Sequence, residues 1–400
     1  MKNKLLLLIP LFLLTCSKNK PAHGDNGMVV STSRQASQVG IDILKQGGNA
    51  VDAAAAIGFT LAVTSSSNGN LGGGGFMVAR LNNKETFALD YREMAPQAAH
   101  RDMFLDTEGN VIKGKSTQTH FAAGIPGSVD GLLRAWEDYG SGNISIRALI
   151  GPAIDYAENG FKLSKYEARR FNNMKSFLSK HPETKRIFTR NDRKWKRGDI
   201  FYQKDLAITL KRIVEKGRDG FYKGKTADLI VAEMNNVERW VTLDDLKRYT
   251  SKYREPIYGK FKDLKIVSMG PPSSGGILLV MMLNMIDEIT IKNPDILNEL
   301  TFNSSDYVHL ITEIERRAYA DRATHLGDED FWRVPTKMLL SKEYAKTRVN
   351  DINLFKATNS EMVKASDAKN YESEETTHYS VIDKEGNAVS VTTTINSCYG

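Results

Sequence analysis

The sequence predicts a layered α+β domain, and three observations predict it. Apolar and polar residues alternate in two hairpin-like segments, one near residue 80 and one at the end of the chain. Between them, apolar residues recur at helical spacing over about two hundred positions. Sheet pieces at both ends with helices between them bury one another's apolar faces most simply as stacked layers. With 400 residues, 41% hydrophobic and 26% charged, the composition is that of a globular chain with a substantial core. No internal repeat and no long low-complexity tract is present.

The elements follow in order. Residues 2–14 hold Lys2, Lys4 and an apolar Leu5 to Leu14 run, too short to span a bilayer and suited to a secretory signal. The run ends in Leu13-Leu14-Thr15-Cys16-Ser17, similar to a bacterial lipobox with Cys16 as the residue to be lipidated. Residues 1–16 are therefore expected to be a signal peptide, and the protein to be periplasmic or lipid-anchored to the bacterial envelope through Cys16. With Cys16 anchored, Cys398 has no partner for an internal disulfide and is expected to be a small strand residue.

Residues 37–46 read as an amphipathic helix stopped by Gly47-Gly48, and residues 52–64 as an Ala-rich buried helix. The Gly72-Gly73-Gly74-Gly75 run lets backbone pack where a side chain would clash. A phosphate loop is a poor alternative, because no Lys-Ser/Thr follows. Residues 76–81 and 86–90 form a hairpin around Asn82-Asn83-Lys84. Helices are expected over 132–139, 152–159, 206–216, 225–235, 278–285 and 306–322, with Pro152 in the first turn of its helix. Strands at 258–261 and 264–268 interrupt that run.

Net charge is +7, with the basic excess concentrated in residues 175–197 around Trp195. For an exported protein this segment reads as a solvated surface loop, and no nucleic-acid partner is implied. None of the seven His residues sits in a metal-ligating pattern, so no metal or other cofactor is implied.

The C-terminal hairpin enters through Thr376-Thr377-His378-Tyr379-Ser380, turns at Lys384-Glu385-Gly386-Asn387 and returns through Ala388-Val389-Ser390-Val391-Thr392. Taken alone, Thr376 is a β-branched residue that suits a strand. Other segments change that reading. They are Gly47-Gly48-Asn49-Ala50-Val51-Asp52, Gly69-Asn70-Leu71-Gly72-Gly73-Gly74-Gly75-Phe76, Asp90-Tyr91-Arg92-Glu93-Met94-Ala95-Pro96, and Gly124-Ile125-Pro126-Gly127-Ser128. Pro271-Pro272-Ser273-Ser274-Gly275-Gly276, Ala318-Tyr319-Ala320-Asp321-Arg322 with Leu326-Gly327-Asp328, and Thr394-Ile395-Asn396 follow. In that order, from about residue 27 to the end, the chain resembles the γ-glutamyltransferase (glutathione hydrolase) family of N-terminal-nucleophile hydrolases.

The resemblance implies an αββα sandwich and autocatalytic cleavage at Glu375–Thr376. Residues 17–375 would be the large-subunit region and 376–400 the start of the small subunit of a heterodimer. The chemistry is consistent with that. A Thr hydroxyl is a weak nucleophile without a base beside it, and cleavage would give Thr376 a free α-amine near neutrality. Thr394 matches a family Thr that hydrogen-bonds the nucleophile. Arg92 matches the carboxylate-binding Arg, and a guanidinium suits that role through its bidentate fork. Asn396 matches the Asn that helps hold the α-amino end.

Substrates implied are glutathione and other γ-glutamyl compounds, with water, amino acids or dipeptides as acceptors. His378 shares the face of Thr376 and is read as structural, with a role at the site left open. Ser273 to Gly276 reads as a tight turn, and Asp321 with Arg322 as a structural ion pair.

In the family the small subunit is longer and supplies an acidic residue for the α-amine, a Ser-Ser pair for the carboxylate and a Gly-Gly oxyanion hole. The sandwich is therefore expected to be incomplete at the C-terminus, and residues 17–400 alone to turn over little or no substrate. Two alternatives stay open. One is a cephalosporin-type acylase of the same superfamily, against which Arg92 and Asn396 argue. The other is an inactive truncated surface lipoprotein acting as a binding module, against which the four intact site residues argue.

Overall fold

The computed structural model describes residues 21–236, 240–364, 376–396 and 398–399. The expected signal segment with Cys16, and Glu375, lie outside the described residues. Among the described residues, ten strands and their register define the frame. In chain order they are β1 (Gly27–Val30), β2 (Gly74–Arg80), β3 (Thr86–Asp90), β4 (Phe161–Lys162), β5 (Ile200–Phe201), β6 (Lys252–Arg254), β7 (Ile257–Phe261), β8 (Leu264–Ser268), β9 (Thr377–Asp383) and β10 (Ala388–Thr394). Six of them form one antiparallel sheet in the order β1-β9-β10-β2-β3-β6. The two sequence-predicted hairpins, β2–β3 and β9–β10, are neighbours at its centre.

The helical layer packs on one face of this sheet. Helix α2 (Ala50–Thr64) is buried along its whole length and lies across β9 and β10. Its start is fixed by a capping box between Asn49 and Asp52. Asp383, at the end of β9, accepts a hydrogen bond from the Ala50 N–H at 2.9 Å. The chain's end is thereby tied to the helix under it. Helix α1 (Arg34–Lys45), capped by Ser33, and the helix Ser128–Tyr139 complete this side.

A second apolar cluster gathers around the helices Gly275–Lys292 and Ser305–His325, with the small β7–β8 sheet against the first of them. The strands expected at 258–261 and 264–268 are present, but as this separate two-stranded sheet.

Three local expectations change. Pro152 does not open its helix, which runs Ile146–Asn159 with Ser145 as N-cap and Pro152 inside. Ile146, Leu149 and Ile150 already carry the apolar spacing of the helix ahead of the proline, and Leu149 and Ile150 are fully buried. The basic segment 175–197 is exposed along most of its length, as expected, but it is not a loop throughout. It contains the helices Lys175–Leu178 and Pro182–Phe188. Trp195 is buried against Phe171 and Phe201, with the Arg190 guanidinium 3.7 Å from its ring centroid. Arg193 forks onto Asp199 at 2.7 and 3.0 Å, so part of the basic excess is neutralised in place.

Asp321 and Arg322 have separate partners rather than forming a pair with each other. Asp321 meets Arg348 at 2.9 Å and the Tyr344 hydroxyl at 2.9 Å, while Arg322 Nε donates to Ser274 Oγ at 3.1 Å. Consecutive helical residues point about 100° apart, which separates them.

Candidate active site

The register of the central strands gathers the sequence-predicted residues at one end of the sheet. Thr377 pairs with Thr393 across β9–β10, so Thr376, one residue earlier, falls opposite Thr394. Thr394 pairs with Gly74 of β2. Phe76 pairs with Asp90 across β2–β3, and Gly75 exchanges both backbone hydrogen bonds with Tyr91, so Arg92 falls opposite Gly74. Thr376, Thr394, Gly74 and Arg92 therefore form one row across four adjacent chain segments. At about 4.8 Å per strand the row is about 14 Å from end to end.

Side-chain alternation sets which face carries the chemistry. Thr377, Tyr379 and Val381 point into the core, whereas Thr376 and His378 lie on the opposite, open face. Thr394 is half-buried, and Arg92 and Asn396 are exposed. The glycines make the row compact. A Cβ on Gly74 would sit 2.6 Å from the Tyr91 carbonyl oxygen and 2.8 Å from Arg92 Cα. On Gly73 it would press on the Thr394 carbonyl oxygen, and on Gly75 on that of Thr392. Close backbone approach is thus realised at 73–75. Gly72 faces open space, and packing does not explain it.

Arg92 is held from both sides. Its N–H donates to Asp90 Oδ1 at 3.0 Å, and its carbonyl oxygen accepts from the Tyr249 hydroxyl at 2.9 Å. Asp90 Oδ2 in turn accepts from Arg254 Nε at 3.1 Å, and Arg254 forks onto Asp330 at 2.8 and 3.0 Å. Burial raises the Asp90 carboxyl above its ordinary range, against the lowering effect of the Arg92 N–H and Arg254. The backbone is fixed while the Arg92 side chain extends from an exposed position, as an anion-binding arm requires.

Asn396 follows β10 with φ at 76°, in the left-handed region that Asn tolerates better than most residues. Its N–H donates to Thr394 Oγ1 at 2.9 Å, which closes a tight turn at the end of β10.

His378 Nδ1 lies 2.9 Å from Thr392 Oγ1, and Nε2 lies 3.2 Å from Ser380 Oγ and 3.1 Å from Ser390 Oγ. Burial lowers its pKa, so the neutral ring is favoured near neutrality. These contacts match the structural reading. Cys398 lies past the end of β10, not in a strand. Arg170 reaches its Sγ through Nε at 3.1 Å and Nη2 at 2.6 Å. Ser273 and Ser274 form the turn ahead of the helix Gly275–Lys292.

Two residues of the neighbourhood were not singled out by sequence reasoning. Burial raises the Glu93 carboxyl, against the lowering effect of Arg92 and the Gly74 N–H. Its signal was its place inside Arg92-Glu93-Met94-Ala95-Pro96. Asn70, buried behind the row, contacts both β10 and the glycine strand. Its position one residue before Leu71 and the glycine run was the available cue.

The gamma-glutamyltranspeptidase family model matches residues 36–400. The glutathione hydrolase proenzyme of Escherichia coli strain K12 is 43% identical over 384 residues, covering 95% of this chain and 64% of its own length. The chain thus spans just under two thirds of that relative. The crystal structure of Helicobacter pylori gamma-glutamyltranspeptidase superimposes with a TM-score of 0.81 at 39% identity, covering 89% of this chain and 100% of that one. A cephalosporin acylase from Bacillus halodurans shares the fold at a TM-score of 0.77 and 23% identity, over 99% of this chain and 70% of that one. The α+β architecture is thereby that of the N-terminal-nucleophile hydrolases. A family match across nine tenths of the sequence places this chain in the gamma-glutamyltranspeptidase family.

Proposed function

We propose that this chain belongs to a glutathione hydrolase/γ-glutamyltransferase that cuts itself at Glu375–Thr376. The observation that carries the reading is the row itself. A Thr hydroxyl and an Arg side chain face the same open side of one sheet, about three strand spacings apart. That distance can be bridged by an extended Arg side chain and a bound γ-glutamyl group together.

In the first step Thr376 Oγ attacks the Glu375 carbonyl carbon, the peptide C–N bond breaks, and an ester forms. Water opens the ester, leaving a Glu375 carboxylate and a Thr376 α-amine. Residues 17–375 and the segment from 376 onward are then separate chains of one heterodimer.

In the second step the same hydroxyl attacks the γ-carbonyl of glutathione while the α-amine takes its proton. The proton passes to the departing amine, and a γ-glutamyl ester remains on Thr376. Water, an amino acid or a dipeptide attacks that ester and restores the hydroxyl. Thr394 supports the nucleophile from the adjacent strand, Arg92 binds the α-carboxylate and Asn396 the α-amino end. Because the α-amine must be unprotonated to act, kcat/KM should rise with pH through about 8.

Arg92→Lys keeps the charge but loses the fork. kcat/KM for a γ-glutamyl anilide should fall about tenfold or more. Unchanged kinetics would remove Arg92 from the site.

The N-terminal segment supports a second expectation, export with lipidation of Cys16 and removal of the residues before it. Mass spectrometry of the mature protein from a fractionated native host should find a lipid-modified Cys16 as the first residue. An unprocessed Met1 in the cytoplasm would overturn it.

A further inference from the structure

Asn70 lies between α2 and β2, is 8% exposed, and uses its whole amide on the middle of the row. Nδ2 donates to the Thr394 carbonyl oxygen at 3.0 Å, to Thr393 Oγ1 at 3.2 Å and to the Asn68 carbonyl oxygen at 3.0 Å. Oδ1 accepts from the Gly73 N–H at 2.9 Å and from Ser128 Oγ at 2.6 Å. The network continues outward. Thr393 Oγ1 donates to the Gly74 carbonyl oxygen at 2.8 Å, and the Gly73 carbonyl oxygen accepts from the Gly127 and Ser128 N–H groups.

One buried side chain thus joins the last rung of β10, the glycine strand beside it and the start of the helix Ser128–Tyr139. A buried Asn satisfied in this way often serves stability alone. What distinguishes Asn70 is where its bonds end. One ends on Thr394 itself and another reaches Gly74 through the Thr393 hydroxyl, and these are the two residues that stand between Thr376 and Arg92 in the row. The ladder itself pairs Thr394 with Gly74 and then stops, so the final rung depends on side chains for its placement.

We propose that Asn70 is a positioning residue for the nucleophile. It fixes the Thr394 backbone against the glycine strand and so sets the distance between Thr376 and Arg92. The proposal rests on the γ-glutamyl reading above for its kinetic consequence, but its structural consequence is independent of that reading.

Asn70→Asp keeps the side chain's shape and its acceptor contacts to Gly73 and Ser128. It turns an oxygen, in place of the amide donors, toward the Thr394 carbonyl oxygen. In the full-length protein, kcat for a γ-glutamyl anilide should fall about tenfold or more while KM stays within about threefold, since misplacement affects chemistry before binding. Amide exchange of residues 394–396 should speed about tenfold while α2 and β3 keep wild-type protection. Thr393→Val, which deletes the hydroxyl that links Asn70 to Gly74, should show the same split at about threefold, and Thr393→Ser should restore it.

Wild-type kcat and wild-type exchange in Asn70→Asp would overturn the proposal. So would a fall in Tm with kcat and KM both preserved. Should Asn70→Asp fail to fold, the Thr393 pair decides, and identical kinetics for Val and Ser would overturn it. If the wild-type protein neither cleaves itself nor releases the anilide, the γ-glutamyl reading fails. Exchange at 394–396 in Asn70→Asp then decides the positioning role alone, faster exchange supporting it and unchanged exchange overturning it.

Discussion

Thr376→Ala should leave a single uncut precursor and lower γ-glutamyl anilide turnover by about four orders of magnitude or more. The substitution removes the one oxygen that the proposed chemistry uses twice, first against the Glu375 carbonyl and then against the substrate. Stability should hardly move, within about 0.5 kcal/mol, because Thr376 is exposed and precedes the first rung of β9. The two uses can be separated. Thr376→Ser keeps a hydroxyl and should still cut and turn over, more slowly. Coexpression of the two halves as independent chains removes the need for the first step, and Ala at 376 should remain inactive there. Gel analysis of the precursor with anilide release by the same samples reads both steps. An Ala variant as active as wild type would end the N-terminal-nucleophile reading, and intact folding with no loss would point to a different nucleophile on the open face.

The parts of this molecule that rest on local signals were legible in the sequence. The β2–β3 and β9–β10 hairpins have alternating residues and turn residues at their tips, and both form. The buried helix over residues 52–64 announced itself by having almost no polar surface. Helix starts were read late: Pro152 reads as the opening of its helix, whereas Ser145 caps it and Ile146, Leu149 and Ile150 already carry its apolar spacing. Ser164 and Glu167 form a capping box whose helix, Lys165–Asn173, was missed although its spacing was visible.

Non-local pairing was not legible. Strand β1 is four residues long and lies beside β9, more than three hundred positions away. No local pattern announces it. Trp195 looked solvated because its neighbours in sequence are basic, yet aromatic rings from distant segments enclose it. The candidate site divides the same way. Each residue was found from its own motif, but the row depends on the β10–β2 register, which joins segments about three hundred residues apart. Asn70 is visible only once that row exists.

The largest loss of stability away from the row should follow Glu313→Ala. Glu313 and Arg317 lie one helical turn apart on the helix Ser305–His325, and both side chains are almost wholly buried. Glu313 Oε2 accepts from Arg317 Nη1 and Thr358 Oγ1, each at 2.6 Å. Oε1 accepts from Arg316 Nη1 at 2.7 Å and the Thr358 N–H at 3.0 Å. Despite burial, these bonds bring the Glu313 carboxyl down to about 2.

Truncation to Ala would leave the Arg317 guanidinium buried with only the outlying Asp351 as a carboxylate partner, and the Thr358 N–H without its acceptor. A broken buried pair of this kind costs about 3–5 kcal/mol, which should lower Tm by several degrees. The double variant Glu313→Leu with Arg317→Met removes both charges and should recover much of the loss. Equal destabilisation in single and double variants would show that packing, not the uncompensated charge, is responsible.

The same group makes a pH prediction. A carboxyl near 2 in the folded protein and near 4.3 when unfolded contributes stability that is fully present above about pH 4.5. That contribution, about 3 kcal/mol, is lost as pH falls through that window toward 2. Wild-type Tm should therefore drop more steeply than that of the double variant between pH 4.5 and 3. Parallel curves would mean that Glu313 is not held ionised by its partners.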